Sequence, residues 1–249
     1  MAELADAHGC SFEADRCDVR ELAHVKKLSL EAAAREARYD FFVRSARMHW
    51  CPRVLLAHHA DDQVETLLLN LLRGAARSGL AAMRPVRVRE MHGARIELHR
   101  PLLGVWRDEI SAYAKKHGLH FHDDPTNTDR RFARNRIRHD VLPAIENAFD
   151  REVRMALWRT AEILGAEEEW IESQRPPPQD ELRVAELRAL PSVLQRRVIY
   201  AWLKARGIGE VGYEEVTAVQ ALVEQTKRAK VNLAHGRHAR RRAGRIFVE

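Results

Sequence analysis

The chain has 249 residues, 45% of them hydrophobic, which is enough for two modest domains with real cores and excludes a disordered chain. Its formal net charge of +6 suits a polyanionic partner, because Lys and Arg displace counterions from phosphates. Cys10, Cys17 and Cys51 are odd in number and form no Cys-x-x-Cys pair, which argues against a disulfide framework and a structural zinc site. Because no signal-peptide pattern and no run of about 18 apolar residues occurs, we expect a cytoplasmic protein without a membrane partner.

Helix and strand patterns alternate in the first part of the chain. Residues 1–8 predict a helix, and residues 11–19 predict a strand with its exit. Ser29 is expected to cap a helix that continues to about Met48. The predicted inward face of this helix consists of Leu30, Ala33, Ala34, Ala37 and Phe41.

An apolar strand and an amphipathic helix follow. Residues 53–57 form a short apolar run bounded by Pro52, which is typical of a buried strand. The apolar residues behind it recur at helical spacing, at Val64, Leu67, Leu68, Leu71 and Leu72. A further strand is predicted at 95–98, and a helix at 105–117 with Gly118 as its C′ residue. This alternation predicts an α/β fold, a Rossmann-like parallel sheet with helices on both faces.

The rest of the chain is predicted to form a smaller, mainly helical domain with short C-terminal strands. Residues 175–179 are rich in proline and indicate a linker. Helix-spaced apolar residues occur at Leu194, Val198 and Trp202, and then at Val216, Val219 and Val223. Turn signals at 235–236 and 243–244 indicate short strands. We therefore predict two domains, 1–145 and 146–249.

Two histidines and three carboxylates lie where the apolar strand gives way to the helix: His58, His59, Asp61, Asp62 and Glu65. The spacing of the carboxylates places all three on one helix face. Ligands of open α/β sheets bind at the carboxyl ends of strands, near helix N-termini. The alternative is plain capping, because acidic residues complement the dipole of any helix N-terminus, although neighbouring carboxylates also repel one another.

The two histidines have a metal-binding interpretation as well. His58 and His59 with Asp62 are candidate zinc ligands. The alternative is that His58 packs or hydrogen-bonds at the strand end. We favour the alternative, because a metal-ligand helix normally presents a further His or Cys, and we predict no metal site of this kind.

A basic segment lies about seventy residues further along the chain. Residues 130–138 contain five arginines in nine positions, shortly after Asp124-Pro125-Thr126-Asn127. Arginine forks match phosphate geometry, so this segment is a candidate for binding phosphates. Its alternative interpretation is a solvated basic helix face.

These segments together resemble the tRNA(Ile)-lysidine synthetases of the PP-loop ATP-pyrophosphatase superfamily. The matching pieces occur in the family's order over residues 29–143. They are Glu36-Ala37-Arg38-Tyr39, the run from His58 to Thr66, Leu72-Arg73-Gly74 with Ser78-Gly79-Leu80, Arg100-Pro101-Leu102-Leu103, Asp124-Pro125-Thr126-Asn127, and Arg134-Asn135-Arg136-Ile137-Arg138 with Leu142-Pro143. Residues 190–197 and the basic C-terminal stretch resemble the family's second domain more loosely.

One family signature is absent. The superfamily binds pyrophosphate with a Ser-Gly-Gly-x-Asp-Ser loop after its first strand, and no Ser-Gly-Gly occurs in this sequence. The first residues resemble the end of a helix that leads to the next strand. We therefore expect that the family's first strand, phosphate loop and following helix are missing from these 249 residues, and that the chain is inactive as it stands.

The resemblance implies an ATP-dependent ligase. In this family ATP, with Mg²⁺, adenylylates C2 of the wobble cytidine of an isoleucine tRNA, and free lysine then displaces AMP to form lysidine. The implied catalytic residues are Asp61, Asp62, Glu65 and Arg138, and the implied nucleotide-binding residues are His58, Arg73, Gly74, Arg134 and Asn135. Two alternatives remain. One is a non-catalytic tRNA-binding remnant, and the other is a sulfur-inserting tRNA enzyme of the same superfamily, although relatives of that kind use paired cysteines.

The C-terminal stretch is strongly basic. Its cations are Lys227, Arg228, Lys230, Arg237, Arg240, Arg241, Arg242 and Arg245. Their density predicts contact with an RNA backbone, and a solvated surface is the alternative. Few aromatic residues are interleaved, so base stacking is not predicted.

Overall fold

The chain forms two compact units in the computed structural model, Met1–Glu162 and Ile163–Glu249, and each contains a buried apolar core. The structure describes residues 1–119, 121, 128–209, 211–224 and 229–249. Within these ranges, no helix combines the length and the apolar character that crossing a membrane requires. The predicted domains 1–145 and 146–249 stay a prediction.

Helices make up most of the first unit. They are α1 (Ala2–Ala7), α2 (Val19–Lys26), α3 (Leu30–Met48), α4 (Ala60–Leu72), α5 (Arg77–Leu80), α6 (Arg107–Lys116), α7 (Ala133–Arg136) and α8 (Leu142–Phe149), and α9 (Arg154–Ser173) continues into the second unit. One π-helical turn, Ile137–Val141, joins α7 to α8 without a break. The predicted cap of α3 is confirmed, because the Ser29 side chain accepts a hydrogen bond from the Ala32 N–H at 3.2 Å.

The sheet of the first unit has three strands, β1 (Arg53–Leu55), β2 (Val86–Met91) and β3 (Ala94–His99), in the order β1-β3-β2. Strand β1 pairs parallel with β3, which confirms the predicted α/β class with a parallel pair. Strand β2 was not predicted and pairs antiparallel with β3. Between them, His92 and Gly93 both adopt positive φ, as a tight two-residue hairpin requires.

The parallel pair determines where functional residues gather. Because β1 and β3 run in the same direction, their carboxyl ends meet at one edge of the sheet. The Leu56 N–H donates to the His99 carbonyl at 2.8 Å and extends the pairing beyond β1. His58 follows β1 and Arg100 follows β3, so both lie beyond this edge.

Two details of the sequence interpretation are wrong. Residues 11–18 contain no strand, and Asp18 instead caps α2 by accepting the N–H groups of Arg20 and Glu21. Aspartate disfavours strands and favours helix caps, which explains the difference. The buried faces predicted for α3 and α4 also include residues that are not buried. Leu30, Leu71 and Leu72 are exposed, at or near the ends of these helices.

Helix α4 is held by polar contacts as well as by packing. Val64, Leu67 and Leu68 are buried, as predicted. Gln63 is fully buried, and its amide bonds both the N–H and the carbonyl of Met83, at 2.8 and 2.9 Å. These two hydrogen bonds fix the segment that follows α5 against α4.

The second unit packs helices on an antiparallel sheet. Its elements are β4 (Leu182–Arg183), α10 (Val184–Ala189), α11 (Ser192–Ala205), α12 (Tyr213–Glu224), β5 (Lys230–Asn232), β6 (His238–Arg242) and β7 (Arg245–Val248), with a 3₁₀ turn at Ala234–Gly236. The strand order is β4-β7-β6-β5. The predicted apolar face of α12 is confirmed by the burial of Val216, Val219 and Val223. Ala243 and Gly244 have positive φ and close the β6–β7 hairpin at the predicted turn.

Candidate active site

The N-terminus of α4 presents the predicted carboxylates at the edge of the sheet. His59 is the N-cap residue, and its backbone N–H donates to Asp62 Oδ2 at 3.0 Å. One oxygen of Asp62 therefore does cap the helix, as the plain interpretation expected. Its other oxygen, Oδ1, lies 3.7 Å from Arg134 Nη2 and 3.9 Å from Arg138 Nη2.

Glu65 lies one turn further along α4 and is almost completely buried. Its two oxygens are bound separately: Arg134 Nε donates to Oε2 at 2.9 Å, and Arg138 Nε donates to Oε1 at 2.6 Å. Charge-assisted hydrogen bonds of this length are strong. We call Asp62, Glu65, Arg134 and Arg138 the carboxylate clamp.

The clamp joins two segments that are distant in sequence. Arg134 Nη2 also donates to Thr66 Oγ1 at 2.9 Å and to the Asp62 carbonyl at 3.2 Å. Burial alone would lower the pKa of Arg138, but the hydrogen bond to Glu65 and the charges of both carboxylates raise it. Arg138 is therefore fully charged, and the two arginines lie close enough to Asp62 and Glu65 to offset their negative charge.

Asp61 belongs to a different group. Its Oδ2 accepts the Arg107 N–H at 3.0 Å, and its Oδ1 lies 3.0 Å from Arg154 Nη1. Burial would raise the pKa of Asp61, but the hydrogen bonds from His59, Arg107 and Arg154 lower it below its ordinary range. These contacts tie α4 to the starts of α6 and α9, so the structure does not bring Asp61 into the clamp.

His58 is partly buried between the clamp and a neighbouring cavity. Burial lowers its pKa to about 4, against the opposing effect of Asp62, and the charges of Arg100, Arg134 and Arg38 lower it further. The ring is therefore neutral at neutral pH. Its Nδ1 is buried without a hydrogen-bond partner among the described residues.

The remaining predicted residues lie around the clamp with other partners. Arg73 is the C-cap of α4 and pairs loosely with Glu31 at 3.9 Å, and Gly74 follows with positive φ. This matches the ordinary helix-end interpretation of Gly74. Asn135 is buried, and its amide donates to the Asp129 carbonyl at 2.9 Å. Residues 124–127 lie outside the described residues.

Sequence reasoning missed two partners. Thr66 stands in the recognised run and was not assigned a role, although its position four residues after Asp62 places it on the same helix face. Arg154 contacts Asp61 from 93 positions away and also lies 3.4 Å from Glu146. No local pattern indicates that pairing.

The basic C-terminal residues are divided between two environments. Arg240 and Arg242 are exposed on β6, whereas Arg241 Nη1 donates to the Leu222 carbonyl at 2.9 Å. Arg237 Nη1 likewise donates to the Arg206 carbonyl, at 2.5 Å. Because side chains alternate along a strand, only part of the predicted RNA-contacting set of cations lies on the surface. Lys227 and Arg228 lie outside the described residues.

Comparison with known families agrees with this architecture. A family model described as the PP-loop domain matches residues 1–145. The chain belongs to the PP-loop family. A second model, described as the TilS substrate binding domain, matches residues 182–247. A Rossmann-like PP-loop domain followed by this second domain is the predicted order.

Individual relatives in the PP-loop family point to one subgroup. The chain is 36% identical over 222 residues to the tRNA(Ile)-lysidine synthase of Thermosynechococcus vestitus, covering 84% of this chain and 62% of the relative. The synthase of Geobacter sulfurreducens is 44% identical over 168 residues, covering 68% of this chain and 34% of the relative. The synthase of Thermus thermophilus is 35% identical over 253 residues, covering 98% of this chain and 47% of the relative. The predicted resemblance to the lysidine synthetases is therefore confirmed, and the chain spans between about one third and two thirds of the length of these curated relatives.

Proposed function

We propose that this chain acts in ATP-dependent attachment of lysine to C2 of the wobble cytidine in an isoleucine tRNA. The observation that carries the proposal is the carboxylate clamp, which places Asp62 and Glu65 beside two arginines at the carboxyl edge of a PP-loop sheet. The relatives named tRNA(Ile)-lysidine synthase support the substrate class. A cytoplasmic location follows from that reaction.

The geometry supports different roles for the two clamp carboxylates. Both oxygens of Glu65 accept short hydrogen bonds from arginines, so Glu65 positions Arg134 and Arg138. Asp62 Oδ1 lies beyond hydrogen-bond distance of both guanidinium groups. We assign this oxygen to the ε-ammonium of the incoming lysine, which must lose a proton before it attacks C2.

ATP supplies the leaving group, because adenylylation of the C2 oxygen releases pyrophosphate and makes AMP the group that lysine displaces. The PP-loop match supports the use of ATP. The described residues include no group of three His, Cys, Asp or Glu side chains arranged around a metal position. We therefore propose that Mg²⁺ enters with the nucleotide, held mainly by phosphate oxygens as is usual for this ion.

An activity assay on two forms of the protein tests the proposal. We expect no detectable lysidine from these 249 residues with ATP, lysine and isoleucine tRNA, since the sequence contains no Ser-Gly-Gly-x-Asp-Ser loop. Loss of even one oxyanion donor commonly costs about 10²–10³ in rate. A form to which a strand and a Ser-Gly-Gly-x-Asp-Ser loop of the superfamily type have been added before residue 1 is expected to form lysidine. Turnover by the short form would contradict the expected need for that segment.

The role of Asp62 is tested in the extended form. Asp62→Asn is expected to raise the KM for lysine and to lower the rate of lysidine formation about a hundredfold or more. Asp108→Asn, at an exposed position on α6, is the control and should retain activity. Full activity of Asp62→Asn would refute the assignment. Binding of tRNA without any lysidine formation by the extended form would favour the non-catalytic alternative.

A further inference from the structure

Residues 190–197 of the second unit include an arginine whose orientation is restricted by hydrogen bonds to the neighbouring helix. Arg196 lies on α11, and its Nη1 donates to Thr217 Oγ1 and to Gln220 Oε1 on α12, both at 3.3 Å. Both acceptors are uncharged, so they orient the guanidinium group without offsetting its positive charge. An arginine side chain has much rotamer freedom to lose, and these bonds remove part of it in the folded protein.

A buried glutamine supports this arrangement. Gln220 is 8% exposed, and its Nε2 donates to Ser192 Oγ at 3.1 Å and to Gln195 Oε1 at 3.3 Å. Its neighbour on α12, Val219, belongs to the apolar core of this unit. Burying an amide is unfavourable unless its donors and acceptors are paired. Here the donors are paired within α11, and the oxygen accepts from Arg196.

The arginine that this network orients lies over an exposed aromatic ring. Arg196 Cζ is 4.7 Å from the centroid of the Tyr213 ring, which is a cation–π distance. Tyr213 is 74% exposed, so the arginine leaves most of its surface open. Tyr39 and Trp202 also lie under arginines, but both are buried. Among the described residues, the Arg196–Tyr213 pair is thus the one that presents its ring to solvent.

The exposure of this pair indicates a ligand rather than a contribution to the fold. A cation–π contact at an exposed site contributes little to stability, and an exposed tyrosine buries little apolar surface. A phenol ring and a guanidinium group both stack on flat π systems. A nucleobase is such a system, and the phosphates on either side of it suit the positive charge of the arginine.

We propose that Arg196 and Tyr213 form a stacking platform for an unpaired nucleobase of RNA. The base stacks on the exposed ring of Tyr213, and Arg196 attracts a neighbouring phosphate. Aromatic side chains commonly bind single-stranded RNA in this way. The choice of RNA rests on the proposed function, in which the chain acts on a tRNA, whereas the platform itself is argued from α11 and α12. It lies outside the basic C-terminal stretch, for which base stacking was not predicted.

Fluorescence anisotropy with the whole 249-residue chain tests the platform. The probes are a short labelled oligoadenylate and an abasic oligomer of equal length, which keeps the phosphates but carries no bases. Tyr213→Ala removes the ring at an exposed position, so the fold should be retained. Tyr113→Ala is the matched control, because Tyr113 is 60% exposed and lies on α6 in the first unit. Tyr213→Phe keeps an aromatic ring.

Tyr213→Ala should bind oligoadenylate about five- to a hundredfold more weakly than Tyr113→Ala does, and the abasic oligomer equally well. Tyr213→Phe should bind as the wild type does, because phenylalanine also stacks on bases. Equal binding of oligoadenylate by the two alanine variants would overturn the platform. Equal weakening with both oligomers, or no binding of oligoadenylate by the wild type, would overturn it as well.

The part assigned to Arg196 is tested by salt dependence. Arg196→Gln should reduce the slope of log affinity against log salt by about one, whereas Tyr213→Ala should leave this slope unchanged. An unchanged slope in Arg196→Gln would overturn the phosphate contact.

These measurements require no turnover, so the platform and the proposed function can fail separately. Lysidine formation by the extended form, with unchanged RNA binding by Tyr213→Ala, would overturn the platform alone. Ring-dependent RNA binding without lysidine formation by the extended form would overturn the proposed function alone.

Discussion

The carboxylate clamp and a neighbouring cavity lined by several arginines share Arg134 but differ in how their charges are balanced. In the clamp, the buried oxygens of Glu65 each accept a hydrogen bond from an arginine. In the cavity, arginines gather with one exposed carboxylate, and the buried Nε of Arg100 has no acceptor among the described residues. In a balanced cluster every buried charge has a partner, and removing one partner is costly, whereas an unbalanced cluster leaves a buried charged group without one. Neighbouring arginines in one region therefore differ, since some have protein partners for their charge and others have buried donors without one in the described part of the chain.

The largest expected effect is on the clamp. Glu65→Ala leaves Arg134 and Arg138 without their main partner, and we expect the free energy of unfolding to fall by about 3–5 kcal/mol. Urea denaturation measures this change. Glu186→Ala, which breaks an exposed pair with Arg183, is the control and should change the free energy of unfolding far less. Equal losses in the two variants would contradict the dependence of Arg134 and Arg138 on Glu65.

A smaller effect is expected where the clamp helix meets the cavity wall. Gln63→Leu keeps a side chain of similar size but leaves the Met83 N–H and carbonyl without their partner. We expect a total loss of about 1–3 kcal/mol, because Met83 is only partly buried and water can reach part of the unpaired backbone. Hydrogen exchange at the Met83 amide should also accelerate. An unchanged exchange rate would contradict the role of Gln63 as the link between α4 and this wall.

The smallest effect concerns the pH dependence of stability. Because the pKa of His58 is lowered to about 4, the folded protein binds its proton less readily than the unfolded chain does. The stability due to the neutral ring is complete above the ordinary histidine pKa and is lost as the pH falls towards 4. Partial exposure weakens the effect, so we expect wild type to lose about 1 kcal/mol more than His58→Asn between about pH 7.5 and 5. Parallel losses in the two proteins would rule out this cause.

Local patterns predicted the parts of the fold that local physics determines. Helix spacing located α4, a side-chain oxygen located the cap at Ser29, and Ala243-Gly244 located a hairpin turn. The cap at Asp18 was also predictable, because aspartate before a helix is a common capping residue. The boundaries of buried faces were less predictable, since burial at helix ends depends on neighbours.

The sequence indicated which residues form the clamp but not which of them contact one another. The recognised motifs contain all four clamp residues, yet their spacing does not show that Glu65 meets arginines 69 and 73 positions away. The contact between Asp61 and Arg154 joins residues that the predicted domain boundary separates. Such pairings arise from the path of the chain in three dimensions, which local sequence does not contain.

The π-helical turn at Ile137–Val141 has a consequence for the tolerance of this chain to insertions and deletions. A π-turn holds one residue more than an α-turn, so it rotates α8 by about 100° about the helix axis relative to a regular α-helix. On the N-terminal side of the π-turn, Arg134 contacts Glu65. On its C-terminal side, Leu142 and Ile145 pack in an apolar cluster that includes Val64 and Val153. Deleting one residue from this turn would restore regular helix geometry, and the segment could then satisfy either the buried charge or the apolar cluster, but not both. The number of residues in this turn is therefore fixed by two requirements, the ion pairs with Glu65 and the packing of the apolar cluster.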